Sequence, residues 1–222
     1  MGRIIAIDGP SGAGKSTVSR LLSEKLGYMY IDTGAMYRTA ALLALEAGID
    51  LRDGEKVAQL CQSLSFSFRT EGDTVRVICN GRDVTQVIRT HEMGMHASEV
   101  SKNPRVREVL VDLQRKLGRQ HDAILEGRDI GTVVFPQAPY KFYLNATVEE
   151  RARRRYRELI EKGEKVSLHE VEATIRKRDR NDSTRPVAPL RPAEDAIIID
   201  TTGKDIPSVV NEILGHIKQT AA

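Results

Sequence analysis

Residues 4–17 read Ile4-Ile5-Ala6-Ile7-Asp8-Gly9-Pro10-Ser11-Gly12-Ala13-Gly14-Lys15-Ser16-Thr17, an apolar run that passes directly into the phosphate-binding pattern GxxxxGK[ST]. The residue types suit the chemistry. Glycines let successive backbone N–H groups turn inward on an anion, Lys15 adds a cation for the β and γ phosphates, and the Ser16 hydroxyl can serve as an Mg²⁺ ligand. From Thr17 onward, Val18, Leu21, Leu22 and Leu26 recur with helical period and stop at Gly27. The loop therefore lies between a buried strand and a helix whose N-terminal partial charge faces the same anion. That context predicts a nucleoside triphosphate held by Gly9, Pro10, Ser11, Gly12, Ala13, Gly14, Lys15, Ser16 and Thr17.

The remaining composition limits what surrounds this loop. At 222 residues, 40% hydrophobic and 29% charged, the chain suits one α/β domain with excursions. No apolar run approaches the roughly 18 to 20 residues that span a bilayer. Only Met1-Gly2-Arg3 precede the first strand, so the chain is expected to be cytoplasmic, with no signal peptide and no membrane contact. Cys61 and Cys79 lack metal spacing and read as packing residues in a reducing compartment, and the scattered His91, His96, His121, His169 and His216 receive no chemical role. Net charge is +3, but residues 141–191 hold fourteen Lys/Arg against nine Asp/Glu. Beside the densest run, Arg151, Arg153, Arg154, Arg155 and Arg157, the only aromatic residue is Tyr156, so phosphates of a small ligand fit better than nucleic acid.

Further strands are expected at 28–31, 123–125, 141–144 and 196–199, alternating with helices at about 35–47, 54–64, 104–117 and 206–218. Residues 65–88 have a different texture, in which Phe66 and Phe68 alternate with serines and Val75, Val77 and Cys79 alternate with Arg76 and Ile78. With turns at Glu71-Gly72-Asp73 and Asn80-Gly81, they read as a small antiparallel meander. Thr147-Val148-Glu149-Glu150 and Ser167-Leu168-His169-Glu170 each have capping-box spacing and open two charged helices with little apolar face, the pattern of a mobile lid. Five parallel-type strands predict a doubly wound sheet with ligands at the C-terminal strand ends. The polar residues after those strands are Asp32, Thr33, Tyr37 and Arg38, then Glu126-Gly127-Arg128-Asp129, with Arg178, Asp182 and Arg185 where the lid returns.

Seven motifs together resemble the bacterial cytidylate kinases, within the nucleoside monophosphate kinases: IDGPSGAGKST at 7–17, DTGAMYR at 32–38, IRT at 88–90, PRVRE at 104–108, EGRDIGTVVFP at 126–136, RDRNDSTR at 178–185 and APL at 188–190. The resemblance implies an α/β fold of the P-loop NTPase type, a doubly wound parallel five-stranded sheet in a single kinase domain. Its core would be 1–64, 104–147 and 186–222, with an antiparallel monophosphate-binding insert at about 65–103 and a helical lid at about 148–185. It further implies transfer of the ATP γ-phosphoryl to CMP or dCMP with Mg²⁺. Because the sequence has no strongly apolar exposed stripe, a monomer is expected, and no nucleic-acid partner is expected. Carried over by motif, Thr33, Tyr37 and Arg38 line the CMP site, and Arg38 and Arg128 reach its phosphate. Ser98, Arg107 and Asp129 read cytosine, Arg178 and Asp182 hold the ribose, and Arg185 lies near the phosphates. Lys15, Arg128, Arg154 and Arg155 would carry the catalysis, with the clamp on the transferring phosphate left open among Arg151, Arg154 and Arg155. The chain has no hhhhD[DE] magnesium signature, so Asp32 and Asp129 are both candidates to partner Ser16. Another small-molecule kinase or a nucleoside monophosphate kinase acting on UMP or AMP, and a nucleotide-dependent switch, are the alternatives.

Overall fold

Strand β1 (Ile4–Asp8) sends Ile5 and Ile7 into one apolar layer and Ile4 and Ala6 into the other, and all five of its residues are buried. Alternation with apolar residues on both faces belongs to the middle of a sheet covered on both sides. A computed structural model describes residues 2–72, 74–161 and 163–220. After β1 come α1 (Lys15–Leu26), β2 (Met29–Asp32), α2 (Thr33–Glu46), α3 (Gly54–Gln62), β3 (Phe66–Glu71), β4 (Thr74–Cys79) and β5 (Arg82–Asp83). Then follow α4 (His91–Val100), α5 (Pro104–Gly118), β6 (Ala123–Gly127), β7 (Tyr140–Asn145), α6 (Val148–Glu161), α7 (Leu168–Thr184), β8 (Ile197–Asp200) and α8 (Ile206–Thr220).

Strands β2, β6, β1, β7 and β8, in that spatial order, form the expected five-stranded parallel sheet. Val18 and Leu22 of α1 and Val209, Val210 and Ile213 of α8 pack on the face that carries Ile5, Ile7, Ile124, Phe142 and Leu144. Residues of α2, α3 and α5 cover the other face. Helix ends fall where the local chemistry puts them. Gly27 stops α1 in the left-handed conformation. At the end of α2, Gly48 N–H donates to the Leu45 carbonyl at 3.0 Å and Ile49 N–H to that of Ala44 at 2.8 Å, the paired bonds of a glycine-terminated helix. The Ser167 capping box is complete. At the start of α6 only half of one forms: Thr147 Oγ1 accepts from Glu150 N–H, but the Thr147 N–H donates to Thr202 and the Glu150 carboxylate accepts from Arg154.

Strands β3, β4 and β5 form the antiparallel meander, turned at Asn80-Gly81, where φ is 48° and 81°. The turn expected at Glu71-Gly72-Asp73 includes Asp73, which lies outside the described residues. Helix α4 was not foreseen; its buried apolar positions, Met93, Ala97 and Val100, are too few to mark a helical period in the sequence. Phe66, Phe68, Val75, Val77 and Cys79 merge with the apolar layer of the main sheet. Cys61 and Cys79 are both free and buried there, and burial pushes their thiols up to about 12 and about 11. Helices α6 and α7 share a narrow apolar seam of Ala152, Leu159, Val171 and Ile175, more than their charged sequence suggests. Among the described residues no helix is long and apolar enough to cross a membrane.

Candidate active site

The phosphate-binding loop leaves β1 pressed against β7. At Gly9, φ is 144° and a Cβ would stand 2.0 Å from the Leu144 carbonyl oxygen, so only glycine fits the turn. A Cβ at Gly12, where φ is 80°, would meet the Cβ of Arg151 at 3.0 Å. The loop is thus wedged between the end of β7 and the start of α6. Lys15 is 6% exposed and closes the loop on itself, its Nζ donating to the Pro10 carbonyl at 2.7 Å. Burial, and then the nearby Arg128 guanidinium, lower its ammonium to about 7. Ser16 Oγ donates to Glu126 Oε1 at 2.8 Å.

Three carboxylates stand at the C-terminal ends of β1, β2 and β6. Glu126 on β6 lies opposite both Ile7 on β1 and Asp32 on β2. Its Oε1 also accepts from the Tyr30 hydroxyl at 2.5 Å, while Oε2 is buried with no hydrogen-bond partner. Burial, and then neighbouring Asp32, raise its pKa. Asp32 caps α2 through Ala35 N–H at 2.8 Å and pairs with Arg38 at 2.8 Å. Asp8 accepts from the N–H groups of Ile130 and Gly131, each at 2.8 Å, and burial lifts its carboxyl to about 6. Those bonds hold the single π-helical turn 130–134 that follows Arg128 and Asp129.

The other end of the cleft is built from α2, α4, α5, the segment after β6, and α7. Thr33 Oγ1 donates to the Glu126 carbonyl at 2.7 Å, and the Arg107 guanidinium sits 5.6 Å from the centre of the Tyr37 ring. Arg107 donates to Asp129 Oδ2, and Arg185 Nη2 lies 3.5 Å from Asp129 Oδ1, an ion cluster almost shut off from solvent. Ser98 Oγ is buried without a hydrogen-bond partner. Arg128 Nε donates to Asp182 Oδ2 at 2.9 Å. Arg178 Nε is 4.0 Å from the same oxygen, and its Nη1 donates to Ser11 Oγ at 3.4 Å. Burial, and then Arg128, push Arg178 down to about 10.

A single cleft of about 920 Å³ runs through these groups. It gathers Thr33, Tyr37, Arg38, Ser98, Arg107, Arg128, Asp129, Arg178, Asp182 and Arg185 with Ser11, Gly12, Gly14, Lys15, Ser16 and Thr17. Gly9, Pro10 and Ala13 shape the loop from behind, Ala13 through its carbonyl, which accepts from Thr201. The three lid arginines diverge despite sharing one stripe of α6. Arg151 is buried behind the loop, whereas Arg154 and Arg155 both line the cleft, Arg154 donating to the Thr201 carbonyl at 2.6 Å and to Thr201 Oγ1 at 3.1 Å and Arg155 pairing with Glu158. Of the two candidates to partner Ser16, Asp129 is engaged by Arg107 and Arg185 in the ion cluster, whereas Asp32 neighbours Glu126. Glu126 itself went unassigned in the sequence. Its signal is an apolar strand Ala123-Ile124-Leu125 ending in a carboxylate, with Glu where the hhhhD[DE] pattern has Asp.

A family model described as cytidylate kinase matches residues 5–219. A cytidylate kinase of Citrifermentans bemidjiense is 49% identical over 221 residues, covering 100% of this chain and 95% of its own length. One of Geobacter sulfurreducens is 51% identical over 218 residues, covering 98% and 94%. Among solved structures, an uncharacterized protein from Eubacterium ventriosum superposes with a TM-score of 0.54 at 11% identity, over 99% of both chains. A gluconokinase from Sinorhizobium meliloti does so with 0.50 at 15%, over 99% of this chain and 93% of its own. At such identities the structural likeness bears on the fold alone.

Proposed function

This chain belongs to the cytidylate kinase family, and we propose that it transfers the γ-phosphoryl group of ATP to the α-phosphate of CMP or dCMP, giving ADP and CDP or dCDP. The observation that carries the assignment of roles is the convergence of Lys15, Arg38, Arg128 and Arg178 on one cleft that has a phosphate-binding loop at one end and the Arg107–Asp129 pair with Ser98 at the other. Cytosine offers an exocyclic amino donor and ring acceptors, so a carboxylate, a hydroxyl and a guanidinium at that end distinguish it from uracil. The acceptor phosphate oxygen is already anionic, so no protein nucleophile is required. Catalysis consists of aligning two polyanions and neutralising charge away from water.

Within this reading the loop N–H groups and Lys15 hold the donor phosphates, Arg38 and Arg128 hold the acceptor phosphate, and Arg155 closes over the transferring group from α6. Arg178 and Asp182 hold the ribose. Ser16, Glu126 and Asp32 form an oxygen-only set, in which Glu126 Oε2 has no hydrogen-bond partner. That set fits Mg²⁺, which takes one or two carboxylates together with substrate phosphates and waters. When bound, Mg²⁺ would neutralise charge between the β and γ phosphates. The insert at about 65–103 and the lid at about 148–185 would close on the core as substrates bind. The chain is taken to act as a monomer. Two free buried cysteines and use of ATP fit the cytoplasm.

The test is ADP formation from ATP and Mg²⁺ with CMP, dCMP, UMP and AMP offered in parallel. Turnover with the two cytidine nucleotides and little with AMP supports the assignment. Turnover with none of the four, from folded protein that binds ATP, removes the acceptor assignment.

A further inference from the structure

Arg151 was an open candidate to clamp the transferring phosphate, yet it stands on the far side of the phosphate-binding loop and is 3% exposed. Each of its three guanidinium nitrogens donates a hydrogen bond. Nε donates to the Ala146 carbonyl at 2.9 Å, at the junction between β7 and α6. Nη1 donates to the Ser11 carbonyl at 3.1 Å. Nη1 and Nη2 together fork onto the Asp179 carboxylate of α7, at 3.1 and 2.7 Å. One side chain thus joins the hinge of the lid, the loop and the second lid helix. Arg178 and Asp182, one residue before and three after Asp179 on α7, both enter the cleft: Arg178 donates to the Ser11 hydroxyl, and Asp182 accepts from Arg128.

The peptide plane at Ser11 makes this contact bear on phosphate binding. In a trans peptide the carbonyl and the following N–H point in opposite directions. Holding the Ser11 carbonyl on Arg151 therefore aims the Gly12 N–H away from Arg151, on the side where loop N–H groups can gather on an anion. A buried ion pair alone is weak support for a stabilising role. A fork that ends on a loop carbonyl has a different use, because it fixes an orientation.

We propose that Arg151 and Asp179 are positioning residues that register α7 on the Ser11 backbone of the phosphate-binding loop, so that the loop N–H groups, Arg178 and Arg128 meet the two substrates in one arrangement. The strut touches neither substrate, and it rests on the phosphoryl-transfer reading above.

The test is steady-state kinetics with ATP and CMP on wild type, Asp179→Asn, Asp179→Glu, Arg151→Lys and the Arg151→Lys/Asp179→Asn double variant, with thermal melting of each. Asp179→Asn keeps the shape and removes the charge. It is expected to lower kcat roughly 10- to 100-fold while both KM values stay within about threefold, and to lower the melting temperature because the buried Arg151 loses its counter-charge, so rates are compared well below the melting transition of each variant. Asp179→Glu should recover part of the loss, and the double variant should be no worse than the poorer single one, because the two residues act as a unit. Wild-type kcat in Asp179→Asn, or losses that multiply in the double variant, would overturn the strut. Should the Arg151→Lys variants fail to fold, Asp179→Asn and Asp179→Glu decide the matter alone. Wild-type protein in the same assay keeps the two readings apart: CMP turnover with unaltered variants removes the strut only, whereas no CMP turnover by wild type removes the transfer reading together with it.

Discussion

Ser16 Oγ donates to Glu126 Oε1 at 2.8 Å, tying the first turn of α1 to the end of β6 across 110 residues of sequence. The hydroxyl that the loop motif reserves for a metal ion thereby shares a carboxylate that the motif does not mention. Glu126→Gln preserves the shape and an acceptor for Ser16 and Tyr30 while removing the charge. It is expected to reduce kcat roughly 10- to 100-fold and to raise the Mg²⁺ concentration needed for half-maximal rate. An Mg²⁺ titration of wild type and variant checks this, and superimposable curves would remove Glu126 from the metal site.

Arg128 is held by Asp182 at 2.9 Å and faces the cleft. Arg128→Ala leaves Asp182 with Arg178 as a neighbour, so the fold should persist, while loss of a guanidinium from the transferring phosphates should cost on the order of 10³ or more in rate. Turnover near wild type in a variant with a normal melting curve would take Arg128 out of the mechanism.

Asp129 carries Arg107 on one oxygen and Arg185 near the other, all three nearly solvent-free. Asp129→Ala leaves buried guanidinium charge uncompensated and should destabilise the protein by about 3–5 kcal/mol. A shift of the urea midpoint at unchanged slope measures it. If the variant stays folded, its preference for CMP over UMP should narrow; a preference kept intact would mean that cytosine is read elsewhere.

Lys15 supplies the pH prediction. Its folded value is lowered from 10.5 to about 7, by burial first and by Arg128 next. Between those values the unfolded chain binds more protons than the native one, so this group makes the free protein more stable as pH rises through that window. Phosphates in the loop restore the ammonium. ATP binding at about pH 8.5 should then take up close to one proton, read as buffer-dependent binding heat in calorimetry. Lys15→Met should abolish the uptake, and an uptake unchanged by that substitution would place the proton on another group.

The parts of the chain that were legible share a local cause. Strand β1, the loop and α1 are written in consecutive residues, and the Asn80-Gly81 turn announces the small sheet because those residue types tolerate positive φ. Helix α4 and the role of Glu126 were not legible, since each depends on partners far away in sequence. Met93, Ala97 and Val100 become a buried face only against the rest of the fold, and Glu126 acquires its setting from Ser16, Tyr30 and Asp32. The divergence of Arg151, Arg154 and Arg155 was hidden for the same reason. Helical spacing places them on one stripe, but Asp179, Thr201 and Glu158 decide where each guanidinium goes.

The central claim is direct transfer between two nucleotides in one cleft, and phosphorus NMR of protein mixed with Mg²⁺, CMP and ATP labelled with ¹⁸O in the γ-phosphoryl group tests it most directly. The label should appear in the β-phosphate of CDP, with ADP formed in equal amount and little inorganic phosphate. Label released as inorganic phosphate, with CMP unchanged, would contradict it.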